Sequence, residues 1–139
     1  MPREMKFLTL PLVLLLCVFS TVSGHTDPSK TEQEIFTELA SSFRSGNVKE
    51  IAKYFGASVD VVLPSSDDQY SKSQAEIVLK NFFDSNTPTA FNIEHQGAGG
   101  NGKYMVGKLS TSRGNFKVYV FIKDSGGQKT ISELKIETI

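Results

Sequence analysis

The stretch KYMVGKLSTSRGNFKVYVFIK, residues 103–123, decides the fold. Ser112-Arg113-Gly114-Asn115 breaks it as a tight turn, with Gly114 free to take positive φ. After the turn, Phe116, Val118, Val120 and Ile122 alternate with Lys117, Tyr119, Phe121 and Lys123. Strict period-2 alternation predicts a strand with one wholly apolar face. The other face is half apolar, which points to a covered surface rather than a solvated one.

Working outward, the C-terminal side adds a turn at Asp124-Ser125-Gly126-Gly127 and a last strand over 130–137, with Ser132, Leu134 and Ile136 on one face. On the N-terminal side, a glycine-rich loop from Gly97 to Gly102 follows a strand in which Phe91, Ile93 and His95 share a face. Before it, Ala75, Val78, Leu79, Phe82 and Phe83 recur at i, i+3, i+4, i+7 and i+8. That spacing predicts an amphipathic helix, capped by Ser71 or Ser73 and ended by Asn86-Thr87-Pro88.

Residues 58–63 read as a strand, and Pro64 to Asp68 as a polar loop. Asn47 caps a short helix with Glu50 at N3, and Gly56 stops it. Ser29 and Glu32 form a capping box for a first helix that carries Ile35, Phe36, Leu39 and Phe43 and ends at Gly46. Three helices and a strand, then a run of strands, define an α+β fold: helices packed on one face of a curved antiparallel sheet.

Residues 1–24 have the pattern of an export signal. Arg3 and Lys6 precede the uncharged run Phe7 to Val22, and Val22-Ser23-Gly24 offers small side chains before a cut. Residues 25–139 then form a single domain, periplasmic or secreted, with no membrane span after cleavage. The only cysteine, Cys17, lies inside the apolar run, so the mature chain has no thiol for a disulfide or a thiolate metal site. Without Arg3, Glu4 and Lys6 the chain carries 13 basic and 14 acidic residues. No basic run tracks phosphates, which argues against nucleic acid as a partner.

Gly97-Ala98-Gly99-Gly100-Asn101-Gly102 matches Gly-x-Gly-x-x-Gly literally, but a strand follows it where a dinucleotide site needs a helix N-terminus. Asp67-Asp68 has no further ligands beside it, and neither a metal nor a cofactor is expected. The ligand-binding candidates are His95, Tyr54 and Tyr104, as a polar group and two rings that can line a pocket for a small apolar ligand. Tyr119 and Phe121, with Met105 and Leu109 assigned to the same face, are the candidates for a homodimer contact.

The motifs Ser45-Gly46-Asn47, Ile51-Ala52-Lys53-Tyr54-Phe55, Tyr70-Ser71-Lys72-Ser73-Gln74-Ala75-Glu76, Phe82-Phe83, Ile93-Glu94-His95-Gln96-Gly97 and Phe116-Lys117-Val118-Tyr119 resemble, as a set, one family. It is a family of small exported proteins, mostly from Bacteroidota, defined as a domain of unknown function, with a nuclear transport factor 2-like (cystatin-like) fold. The resemblance spans about residues 30 to 137 and brings no catalytic residue with it. The wider fold implies either a non-enzymatic binding or assembly module, whose outer sheet face often forms a dimer contact, or a small-molecule enzyme of the isomerase or dehydratase type with its pocket between helices and sheet. The first reading is preferred, because no His–Asp spacing compels a catalytic pair.

Overall fold

Helix α1 (Glu32–Ser45) starts at a capping box, but two residues later than Ser29 and Glu32 predict. Thr31 Oγ1 accepts from the Glu34 amide at 3.2 Å, and the Glu34 carboxylate accepts from the Thr31 amide at 3.1 Å. The computed structural model describes residues 30–139, so the export-signal segment and Ser29 lie outside the described residues. Gly46, at φ 68°, closes α1 in the left-handed conformation that glycine takes without steric cost. Asn47 then caps α2 (Val48–Ala52) through its Oδ1 and the Glu50 amide.

Strand β1 (Phe55–Leu63) begins before Gly56, which therefore lies in a strand and stops nothing. The predicted polar loop is largely a strand: β2 (Ser66–Ser71) pairs antiparallel with β1 across the two-residue connection Pro64-Ser65. Its sequence SDDQYS has no apolar alternation because β2 is an edge strand, where charge is tolerated and discourages further pairing. Ser71 ends β2 and caps α3 (Lys72–Ser85), accepting from the Gln74 amide. Strands β3 (Pro88–Gly99), β4 (Gly102–Thr111), β5 (Gly114–Ser125) and β6 (Gln128–Thr138) follow as a meander. The glycine-rich run is no long loop, since β3 and β4 pair as far as Gly99 and Gly102 and only Gly100-Asn101 turns.

The six strands form one sheet in the order β2-β1-β6-β5-β4-β3. It is mixed rather than wholly antiparallel: β1 runs parallel to β6. Shifts of register interrupt β3 at two places, β5 against β6, and β1 against β6. Each such bulge bends the strand and adds twist, which curves the unclosed sheet around the helices.

The inner face of that curve is full. Phe36, Leu39 and Phe43 of α1, Leu79 of α3, Phe91 of β3, and Val118, Val120, Leu134 and Ile136 of β5 and β6 are all buried. Phe43 stacks on Phe91 with ring centroids 5.1 Å apart, and Phe82 meets Phe116 edge-on at 5.1 Å. Gly107 leaves room for the Phe91 ring, which a β-carbon there would strike. Arg44 fastens the end of α1 to the sheet by donating to the Phe91 carbonyl at 3.2 Å.

Three expected placements are overturned by this packing. Met105 and Leu109 are 0 % exposed and pair with Val120 and Phe116, so they belong to the interior and not to the outer face. His95 does not share the face of Phe91 and Ile93: the bulge between Ile93 and His95 turns it outward, opposite Val106. In β6 the interior takes Ile131, Leu134 and Ile136, and the register shift lies at Ser132.

Candidate functional site: the outer face of the sheet

Residues directly opposed in adjacent strands project to the same face, so the outer surface can be read row by row. One row runs Asn92, Lys108, Lys117, Glu137. The next runs His95, Val106, Tyr119, Lys135, Val62, Asp67. A third runs Gly97, Tyr104, Phe121, Glu133, Asp60, Gln69. The centre of the face is therefore half-buried and largely apolar, built from Val106, Tyr119, Phe121, Tyr104 and Val62.

Five side chains form a chain across it. His95 Nε2 lies 2.9 Å from the Tyr104 hydroxyl, and Tyr104 lies over Gly97, where any side chain would collide with the phenol. The Tyr104 and Tyr119 rings stack at 5.9 Å and 23°. Lys135 Nζ sits 5.8 Å from the Tyr119 ring centroid and 3.0 Å from the Glu133 carboxylate. Burial, and then the charge of Glu133, push the Tyr119 phenol above its usual range, and the hydrogen bond that Lys135 donates to the Glu133 carboxylate raises Lys135. Val106, Lys117, Tyr119, Glu133, Lys135 and Glu137 enclose a shallow depression of about 260 Å³.

The face is electrically polarised. Lys108 and Lys117 oppose each other across β4 and β5, whereas Glu133 and Asp60 oppose each other across β6 and β1. Lys117 and Glu137 are cross-strand neighbours, yet among the described residues neither has an ion-pair partner.

Of the predicted site residues, His95, Tyr104, Tyr119 and Phe121 come together on this face. Tyr54 does not. It packs at the foot of α1, where its hydroxyl donates to the Glu38 carboxylate and Lys30 reaches that carboxylate at 2.7 Å. Lys30, Glu38 and Tyr54 thus make a surface latch between α1 and the segment after α2. Val106, Val62, Lys135 and Glu133 are absent from the sequence-based candidates: Val106 is placed by the register of β4, Lys135 and Glu133 by the pairing of β6 with β5 beyond a bulge, and Val62 by the pairing of β1 with β6, none of which local periodicity encodes. Among the described residues no three His, Cys, Asp or Glu side chains are arranged to hold a metal ion. Nor is any helix among them long and apolar enough to cross a membrane.

A curved, unclosed sheet with helices in its hollow is the nuclear transport factor 2-like architecture. The model of a family described as a domain of unknown function, DUF4783, matches residues 36–137, and the chain belongs to that family. A crystal structure of a family protein from Bacteroides ovatus is 30 % identical, with a TM-score of 0.69, covering 73 % of this chain and 93 % of that one. Another, from Bacteroides uniformis, is 28 % identical, with a TM-score of 0.70 and coverage of 74 % and 95 %. A protein of unknown function from Cytophaga hutchinsonii, described as NTF2-like, shares the fold at 9 % identity and a TM-score of 0.56, covering 78 % of this chain and 90 % of that one. No curated protein matches the chain.

Proposed function

We propose that this chain is an exported, non-enzymatic assembly module that pairs with a second copy of itself through the outer face of the sheet. The observation that carries this reading is a half-buried apolar centre bordered by Lys117 and Glu137, neither of which has an ion-pair partner among the described residues. A two-fold axis running along the strands, between β5 and β6, lays β5 over the second copy's β6 and β4 over its β1. Lys117 then meets the opposite copy's Glu137, Val106 meets Val62, and the Tyr104 hydroxyl meets Asp60. Each contact occurs twice, as a self-complementary interface requires. Lys117 and Glu137, unpaired within one copy, thereby gain partners in the other. The packed interior supports the same reading, as does the absence of any carboxylate, imidazole or amine from the cleft between α3 and the β1–β2 hairpin, since an enzyme of the isomerase or dehydratase type needs a cavity with an acid or base in its wall.

Charge reversal tests it. Sedimentation velocity of the wild-type protein at tens of micromolar, where weak specific contacts are populated, is expected to show a dimer. Lys117→Glu and Glu137→Lys should each shift it to monomer, and the double variant should restore association. A wild-type monomer in that range sinks the proposal. Export is tested separately: intact mass of protein recovered from outside the cytoplasm should begin at His25, and a mass that retains residues 1–24 argues for an uncleaved anchor.

A further inference from the structure

A second surface carries an inference independent of the outer face. Between α3 and the β1–β2 hairpin lies a cleft of about 420 Å³. Its apolar wall is Leu63, Val78, Phe82 and the ring of Tyr70. Its rim is Ser65, Ser66, Asn81, Ser85 and Asn86. None of the residues that line it is charged. Among the described residues, the side chains of Ser65, Ser66, Tyr70, Asn81 and Ser85 make no hydrogen bond to the protein, and Asn86 commits only its Nδ2, to the Phe82 carbonyl at 2.9 Å. The α3 wall is capped at both ends, by Ser71 and by Asn86, and the opposite wall is the antiparallel pair β1–β2.

We propose that this cleft binds a neutral saccharide. The lining selects against other classes in turn. A charged ligand would lose its hydration and find no counter-charge. A wholly apolar ligand would bury hydroxyls and amides without partners, at a cost larger than the contact returns. What fits is a ring with one carbon-rich face, to lie on Tyr70, Val78 and Phe82, and several hydroxyls, to exchange hydrogen bonds with groups that both donate and accept. The volume falls within the range of small-molecule sites and suits one or two sugar rings.

The test is a titration of the purified protein with cellobiose, maltose and N,N′-diacetylchitobiose, followed by amide NMR shifts. At least one should give saturating shifts confined to the neighbourhood of Ser65, Ser66, Tyr70 and Asn81, with a Kd of about 1–10 mM, as expected for a single shallow site. Asn81→Ala removes one neutral hydrogen bond and should weaken binding about five-fold. Its thermal midpoint should stay at the wild-type value, because the Asn81 side chain bonds nothing in the protein. Phe121→Lys, on the other surface, should leave the affinity unchanged. The proposal is overturned if none of the three sugars shifts the cleft at about 50 mM, well above the affinity range given. It is equally overturned if the shifts cluster elsewhere, if Asn81→Ala and Ser85→Ala both bind as wild type, or if glucuronate or an apolar dye occupies the cleft and the neutral sugars do not.

Discussion

Gly107 and Phe91 illustrate how single residues set this interior. The phenyl ring occupies the space where a β-carbon at position 107 would sit. Gly107→Ala is expected to destabilise by about 1–3 kcal/mol, the usual range for overpacking. Denaturant melts should show Phe91→Leu recovering part of that loss in the double variant, because the smaller side chain vacates the contested volume. The Lys30–Glu38–Tyr54 latch predicts a pH dependence with a definite sign. Hydrogen bonds from Lys30 and Tyr54 hold the Glu38 carboxyl below its usual range. Its contribution is therefore present above the unfolded carboxylate range and lost as pH falls through the lowered value. Lys30 is raised by its bond to Glu38, and Tyr54 is raised chiefly by burial, so their contributions are lost as pH rises past the usual lysine and tyrosine range. Thermal midpoints across pH should give a plateau between these limits, and Glu38→Gln should lose the acid-side slope that belongs to this carboxylate.

Among the elements, the helices were the most legible. Leu79, Phe82 and Phe83 repeat with helical period, and the structure buries all three. Phe82→Ala should cost about 3–5 kcal/mol, read from chemical denaturation. A loss below about 1 kcal/mol, the size of an ordinary surface change, would mean that α3 does not seat on β5 through Phe116. The strands were legible in existence but not in face. Alternation carries through β5 from Phe116 to Ile122 because no bulge interrupts its pairing with β4. In β3 one displaced residue between Ile93 and His95 reverses everything beyond it, and period-2 reasoning has no means of seeing an inserted residue. For Met105 and Leu109 the difficulty was composition: Tyr104 and Val106 make the outer face of β4 as apolar as its inner one. Strand β2 was invisible for the opposite reason, since a polar edge strand lacks the apolar residues that mark a strand.

At the scale of the whole molecule, the proposed pairing makes a prediction about salt. The contacts of Lys117 with Glu137, and of Lys108 near the same acid, would lie at the rim of the interface, where ions reach them. Raising ionic strength from about 0.01 M to 1 M shortens the screening length from about 30 Å to about 3 Å. The association measured by sedimentation should weaken over that range without vanishing, because Val106, Tyr119 and Val62 remain as an apolar contact that salt does not oppose. An association unaffected by salt would mean that Lys117 and Glu137 do not meet across the interface.

The strand order has a consequence for how the chain reaches this state. Strands β1 and β6 lie side by side in the middle of the sheet, although β2, α3 and β3 to β5 separate them in sequence. Neither β1 with β2, nor β3 with β4 and β5, possesses a closed interior until β6 slots between them. Val61 of β1 waits for Leu134, and Val120 of β5 waits for the same side chain. Joining such distant segments incurs the loop-closure entropy before any contact rewards it, which places folding in the slower, non-local class. A nascent chain of this sequence therefore has no stable half to complete on the ribosome. A chain cut after Ser125, which lacks β6, should therefore show no cooperative unfolding transition, while the chain with β6 does.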